Sequence, residues 1–167
     1  MRSSTAGAVG GLVAGVVTSA VMLIGRDAGL LKPTLSENAQ DWLDENFNTR
    51  QRFGDTGTEL IEQATHYAAS VGFGAAYGAF RPYAPMPGLL SGALFGAGLY
   101  AVGVAGVLPE IGMTKGEPNE DPGVSTERFV IHLLFGAVMG WAADRLNDRA
   151  IKVRRGRRLR PAPDDED

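Results

Sequence analysis

The chain has 167 residues, enough for one domain, and no cysteine, which excludes disulfides, lipoprotein anchoring, thiolate catalysis and Cys-type zinc sites. Its formal charge of −3 and mean hydropathy of −0.04 would suit a soluble protein. Those averages hide segregation: the charges fall in three blocks, and the long uncharged runs between them would leave whole helices without a wet face, which points to lipid as their solvent.

The 23 glycines are about twice an average share and lie mostly inside the apolar runs. They would weaken a helix in water, but in a bilayer they let backbones approach one another. In chain order, residues 6–25 carry no charge and match the ~20 residues needed to cross the hydrocarbon. A cleaved signal peptide is the rival reading; the charged start is thin and no A-x-A pattern precedes Arg26.

The polar stretch 26–64 opens at Pro33 and Thr34, with Thr34 and Glu37 in capping-box spacing. Leu35, Ala39, Trp42, Leu43 and Phe47 then share one face and Glu37, Asp41, Asp44 and Glu45 lie off it, which predicts an amphipathic helix over about 35–47. Its acidic polar face suits a cap on the outside of the bundle, with Trp42 as interfacial anchor; a partner-docking helix is the alternative. Residues 48–57 read as a turn and Thr58 as the N-cap of a second span over 60–80, which Arg81 and Pro82 end.

The third span covers 88–108. Residues 109–127 are polar and acidic, with Pro118 and Pro122 predicting irregular structure and Ser125 and Thr126 as N-cap candidates. The fourth span covers 128–146, and 148–167 form a basic then acidic tail, helical at first and disordered at its end. The fold class expected is all-α, a four-transmembrane-helix bundle. Lys and Arg concentrate after Asp144, while the stretches 27–64 and 109–127 carry mainly carboxylates; the positive-inside rule puts both termini and the Arg81 loop in the cytoplasm.

The first and third spans align at an offset of 81 residues, with Gly7, Gly11 and Gly15 on Gly88, Gly92 and Gly96. The second and fourth share F-G-A-x-x-G at Phe73–Gly78 and Phe135–Gly140. Two copies of a helical hairpin, or chance matching of Gly-rich helices, both account for this. Small residues recur every four positions in each span: Gly7, Gly11, Gly15; Ser70, Gly74, Gly78; Gly88, Gly92, Gly96; Gly136, Gly140. Such glycine-zipper faces pack helices within a chain, or between copies in a homo-oligomer.

His66 and His132 are the only histidines, and the topology puts both near the outer interface, with Glu62 and Glu127 close in sequence. These four form a candidate pH-responsive or polar cluster; self-satisfied histidines and a metal site are the alternatives. There is no H-E-x-x-H, G-x-S-x-G, P-loop or dinucleotide fingerprint, so no catalytic residue, cofactor or metal is expected. The basic tail next to a span suits anionic lipid and not nucleic acid.

The runs THYAASVGFGAAYG, GLLSGALFGAGLYAVG and IHLLFGAVMGWAADRLNDR, in this order, resemble the YagU-like family of small bacterial inner-membrane proteins, a domain of unknown function. The resemblance rests on the Gly-rich first span, Thr65–His66, Gly88 to Leu94, His132–Leu133 and Asp144–Arg145–Leu146. It implies a multi-pass bacterial inner-membrane protein and supplies no activity. The expected function is a non-enzymatic membrane protein that assembles through glycine faces and acts in envelope stress or pH response. The alternative is a small transporter or channel using the histidine pair.

Overall fold

The apolar runs and their glycines become long helices. A computed structural model of the protein describes residues 3–32 and 34–158, with side chains up to Asp148 except that of Thr34. Among them there are only helices, short 3-10 turns and loops. We label the helices α1 (Ser3–Asp27), α2 (Thr34–Phe47), α3 (Thr49–Phe80), α4 (Gly88–Glu110) and α5 (Pro122–Arg158). Three are long and apolar enough to cross a membrane: α1, α4 and the Pro122–Asp148 part of α5. α3 falls short of that composition because Gln63, Thr65, His66, Tyr67 and Ser70 crowd its middle. The second span expected from sequence, 60–80, is therefore a helix of the right length but mixed polarity. The last residues of the tail, 159–167, lie outside the described residues, as do Pro33 and the Thr34 side chain of the expected capping box.

Helix boundaries correct three expectations. Residues 48–57 are not an open turn. Asn48 takes a left-handed conformation (φ 53°) after α2, a short helical turn follows, and Gly54 breaks it with φ 72°. Asn and Gly tolerate such angles where most residues do not. Arg50 then ties the two helices together, its guanidinium 2.6 Å from Asp41 and its backbone N–H donating to Asp44 at 2.8 Å. Thr58 is not an N-cap; it is buried inside α3 and donates back to the Gly54 carbonyl at 3.1 Å. Ser125 and Thr126 are not N-caps either. α5 begins earlier, with Asp121 accepting the Gly123 N–H at 2.8 Å and Pro122 in the first turn, where its missing N–H costs nothing.

α1 packs along α3 on one side and α5 on the other, and α4 packs along α5. The contacts are backbone to backbone. A Cβ on Gly7 would fall on the Gly74 carbonyl and 2.7 Å from the Gly78 Cα; one on Gly11 would fall on the Ser70 carbonyl and 2.9 Å from the Gly74 Cα. Gly15 continues the row against the Ser70 side chain. In the second hairpin Gly88 meets Gly140 and Asp144, Gly92 meets Gly136 and Gly140, and Gly96 meets His132 and Gly136. Every small residue expected to form a packing face is thus covered by the chain's own helices. Gly10, which the four-residue spacing does not pick out, joins the hairpins against the Met139 carbonyl, 2.7 Å from where its Cβ would stand.

The two hairpins are built alike, but not in the register of the F-G-A-x-x-G match. Gly74 stands to Gly7 as Gly140 stands to Gly88, and Ser70 stands to Gly11 as Gly136 stands to Gly92. The packing register is one helical turn away from the sequence alignment. In that register His66 and His132 are equivalent positions.

Burial is inverted relative to a water-soluble bundle. Ala6, Ala14, Ala142, Ala143 and the glycines of the packing faces lie inside around Tyr77, Phe135 and Met139, while Leu12, Val16, Leu23, Ile24, Leu89, Leu94, Val102, Val130 and Trp141 point outward. An apolar exterior of this extent over a small-residue interior is the pattern of helices solvated by lipid.

At the end where α3 meets α4, Arg81 grips Asp144 with two bonds of 2.8 Å and donates to the Ala84 carbonyl. Asp144 also accepts the first N–H of α4, Gly88, at 2.9 Å. Tyr77 reaches the same place, its hydroxyl 2.7 Å from Ser91 Oγ and donating to the Gly88 carbonyl. This latch fixes α3, α4 and α5 in register at one end and leaves the opposite end for the polar cluster described next.

Candidate functional site

α5 carries Arg128 one turn before His132. Its side chain is only 4% exposed, which a cation tolerates only when paired. The pairing comes from the loop between α4 and α5. A 3-10 turn at Glu117–Asn119 folds that loop back, bringing Glu117 to 3.1 Å and Glu120 to 3.3 Å from the Arg128 guanidinium. Glu117 also accepts the Tyr100 hydroxyl at 2.9 Å. Tyr100 opens an eight-residue π-helical stretch of α4, Tyr100–Val107, and its ring packs edge-on against Phe129 and His132. π-helical turns inside α-helices occur frequently at functional sites.

His132 is held from the other side. Its Nδ1 lies 2.7 Å from the Arg128 carbonyl oxygen. A carbonyl only accepts, so Nδ1 carries the proton and Nε2 is left as the nitrogen that can gain one. His66 on α3 stacks edge-on with Tyr67, and its Nε2 is buried without a hydrogen-bond partner. The two imidazoles are close enough to interact electrostatically.

Of the sequence-predicted carboxylates, Glu127 turns away to accept the Lys32 backbone N–H at 3.2 Å, while Glu62 stands one turn before His66, within reach of its charge, and accepts from Gln63 at 3.2 Å. The acids that matter are Glu117 and Glu120, and with Tyr100 and Arg128 they escaped the sequence reading. The available signal was two carboxylates three residues apart in a short loop ahead of a lone arginine at a helix start. Among the described residues no group of His, Asp or Glu is arranged to hold a metal ion.

Burial alone would raise the Glu117 carboxyl above its ordinary value. The nearby Ser125 hydroxyl, the Tyr100 and Arg128 hydrogen bonds and the Arg128 charge more than offset that, and the carboxyl is held below it. α2 lies over this end of the bundle, where Trp42 donates its indole N–H to the Ile111 carbonyl at 2.9 Å and so ties α2 to the loop.

Comparison of the chain with family models, curated proteins and solved structures gives no match. The cluster is a paired buried cation, two carboxylates, a tyrosine and the His132 imidazole, roofed by a loop and an amphipathic helix.

Proposed function

We propose that this chain is a non-enzymatic, four-span protein of the bacterial inner membrane, with both termini in the cytoplasm, that responds to acidity at its outer face. The resemblance to the YagU-like family belongs to this proposal. α3 also crosses the membrane, as the second of four spans in chain order: its Ser70, Gly74 and Gly78 lie along α1, and Val71, Phe73 and Phe80 face outward as the apolar residues of the other spans do. The basic tail sits on anionic lipid.

One observation carries the functional reading: His132 stands one turn after the buried Arg128 with its Nδ1 on the Arg128 carbonyl oxygen, and His66 occupies the equivalent position of the first hairpin. Ionisable groups at membrane depth are costly and mark functional positions. Charging His132 puts a second cation next to Arg128. The groups near it are His66 on α3, Tyr100 on α4, Arg128 on α5 and Glu117 on the loop, with Glu120 on the far side of Arg128; Glu62 and Tyr67 flank His66. Both loop carboxylates are already engaged by Arg128. Protonation therefore competes for Glu117 and Glu120 and loosens the loop from α5.

Trp42 reports on that loop. In a Trp141→Phe background in nanodiscs, lowering the pH from about 8 to about 5 should shift Trp42 emission to the red as its bond to Ile111 opens. The combined His66→Gln and His132→Gln substitutions should remove the shift over that range. An unchanged shift in the substituted protein would take the histidines out of the response.

A further inference from the structure

The outward side of α5 changes character at the latch end. It is apolar as far as Trp141, which is 48% exposed, and the exposed Arg145 follows one turn later. An apolar outer face that ends in a tryptophan and then a cation marks the level where hydrocarbon gives way to headgroups. The Arg145 guanidinium lies 5.6 Å from the centre of the Trp141 ring, inside the range of a cation–π contact, so the ring holds the cation beside it.

Charge at this end is divided between inside and outside. Asp144 and Arg145 are neighbours in sequence, but Asp144 turns inward to Arg81 and the Gly88 N–H and leaves Arg145 on the surface. Among the described residues no acceptor meets the Arg145 guanidinium or the Trp141 indole N–H. The helix runs on to Arg158, with Arg149 and Lys152 at helical spacing after Arg145. Asp148, exposed one turn after Arg145, opposes an anion.

A guanidinium with free donors can grip two phosphate oxygens at once, and an indole N–H beside it can donate to a third acceptor. With Asp144 already neutralised, Asp148 is the carboxylate left on this side for an ammonium or choline group. A headgroup that is anionic overall therefore fits better than a zwitterionic one. We infer that Trp141 and Arg145 form a site for the phosphate of an anionic phospholipid. The site rests on the lipid contact proposed for the basic tail and fixes one lipid at a stated position on α5.

The test uses the full chain carrying Trp42→Phe, which leaves Trp141 as the only tryptophan. It is placed in phosphatidylcholine bilayers that contain equal amounts of either brominated phosphatidylglycerol or brominated phosphatidylcholine, at constant ionic strength. Bromine quenches only a nearby indole, so the two quenching curves give the relative occupancy of the site. Phosphatidylglycerol should be favoured about fivefold, the weight of one basic residue at an anionic surface. Arg145→Gln should bring the ratio close to parity, and Asp148→Asn should raise it, a direction that misfolding cannot produce. Changing Arg154, Arg155, Arg157 and Arg158 together to Gln should leave the ratio near that of the parent. Parity in the parent, a preference that survives Arg145→Gln, or displacement of the lipid by millimolar inorganic phosphate would overturn the site. Loss of the preference in the tail variant alone would overturn it too, while leaving the tail's own contact with lipid standing.

Discussion

Gly92→Val should destabilise the bundle by about 3 kcal/mol or more, near the top of the range for overpacked cores. A Cβ at Gly92 falls on the Gly136 carbonyl oxygen, 2.9 Å from its carbon and 3.0 Å from the Gly140 Cα. Backbone is the hardest partner to displace, because moving it moves the whole helix. α4 would have to lift from α5, breaking the neighbouring contacts of Gly88 and Gly96 and pulling on the Asp144 latch. Gly72→Ala and Gly98→Ala are the matched controls: nothing lies within 4 Å of either Cβ, so each should stay within about 0.5 kcal/mol of the parent. Reversible unfolding in mixed micelles measures all three. Equal stability of the Gly92 and Gly98 variants would mean that the glycine faces are not where the helices touch.

Arg128→Met should cost about 3–5 kcal/mol, the usual loss when one partner of a buried ion pair is removed. Glu117 and Glu120, with side chains 11% and 16% exposed, would then face each other without a counter-charge. Adding Glu117→Gln and Glu120→Gln to Arg128→Met should recover most of the loss, because the unpaired charge is the main cost. The same unfolding assay reads it, with Trp42 emission following the loop. A loss under about 1 kcal/mol would mark the cluster as a solvated rim pair instead.

Glu117 gives this prediction a pH signature. Its carboxyl is held below its ordinary value, so the stability it contributes is fully present above the unfolded-state value and is lost as pH falls through the lowered one. In the parent protein the loop should therefore weaken again in strong acid, below the ordinary glutamate range. Glu117→Gln should remove that second step while leaving the step that the histidines carry at milder pH.

The helices and their packing faces were legible because both depend on local pattern. Uncharged runs of span length and small residues every four positions constrain a membrane helix strongly, and Gly7, Gly11, Gly15, Gly88, Gly92 and Gly96 meet the partner faces that the spacing picked out. Their register was not legible. F-G-A-x-x-G matches in composition, but helix position is set by where carbonyls meet glycine Cα atoms, one turn away. The π-helical stretch left no trace either, since Tyr100–Val107 is apolar or small all round and offers no periodicity to measure. The polar cluster was half legible. The histidines stood out as rare residues in apolar runs, but Glu117 and Glu120 reach Arg128 only because the 3-10 turn folds the loop back. Of the sequence neighbours, Glu127 reaches across to the Lys32 backbone and Glu62 bonds to Gln63.

Four spans, with α2 outside and the Arg81 turn inside, require α3 to cross the bilayer. The chain has no cysteine, so single-cysteine variants report on one site each. Asn46, exposed near the end of α2, and Tyr83, 84% exposed in the turn after α3, bracket the helix in question. A membrane-impermeant maleimide applied to spheroplasts should label Asn46→Cys at once and Tyr83→Cys only after permeabilisation. Labelling of both from the same side would contradict the four-span account.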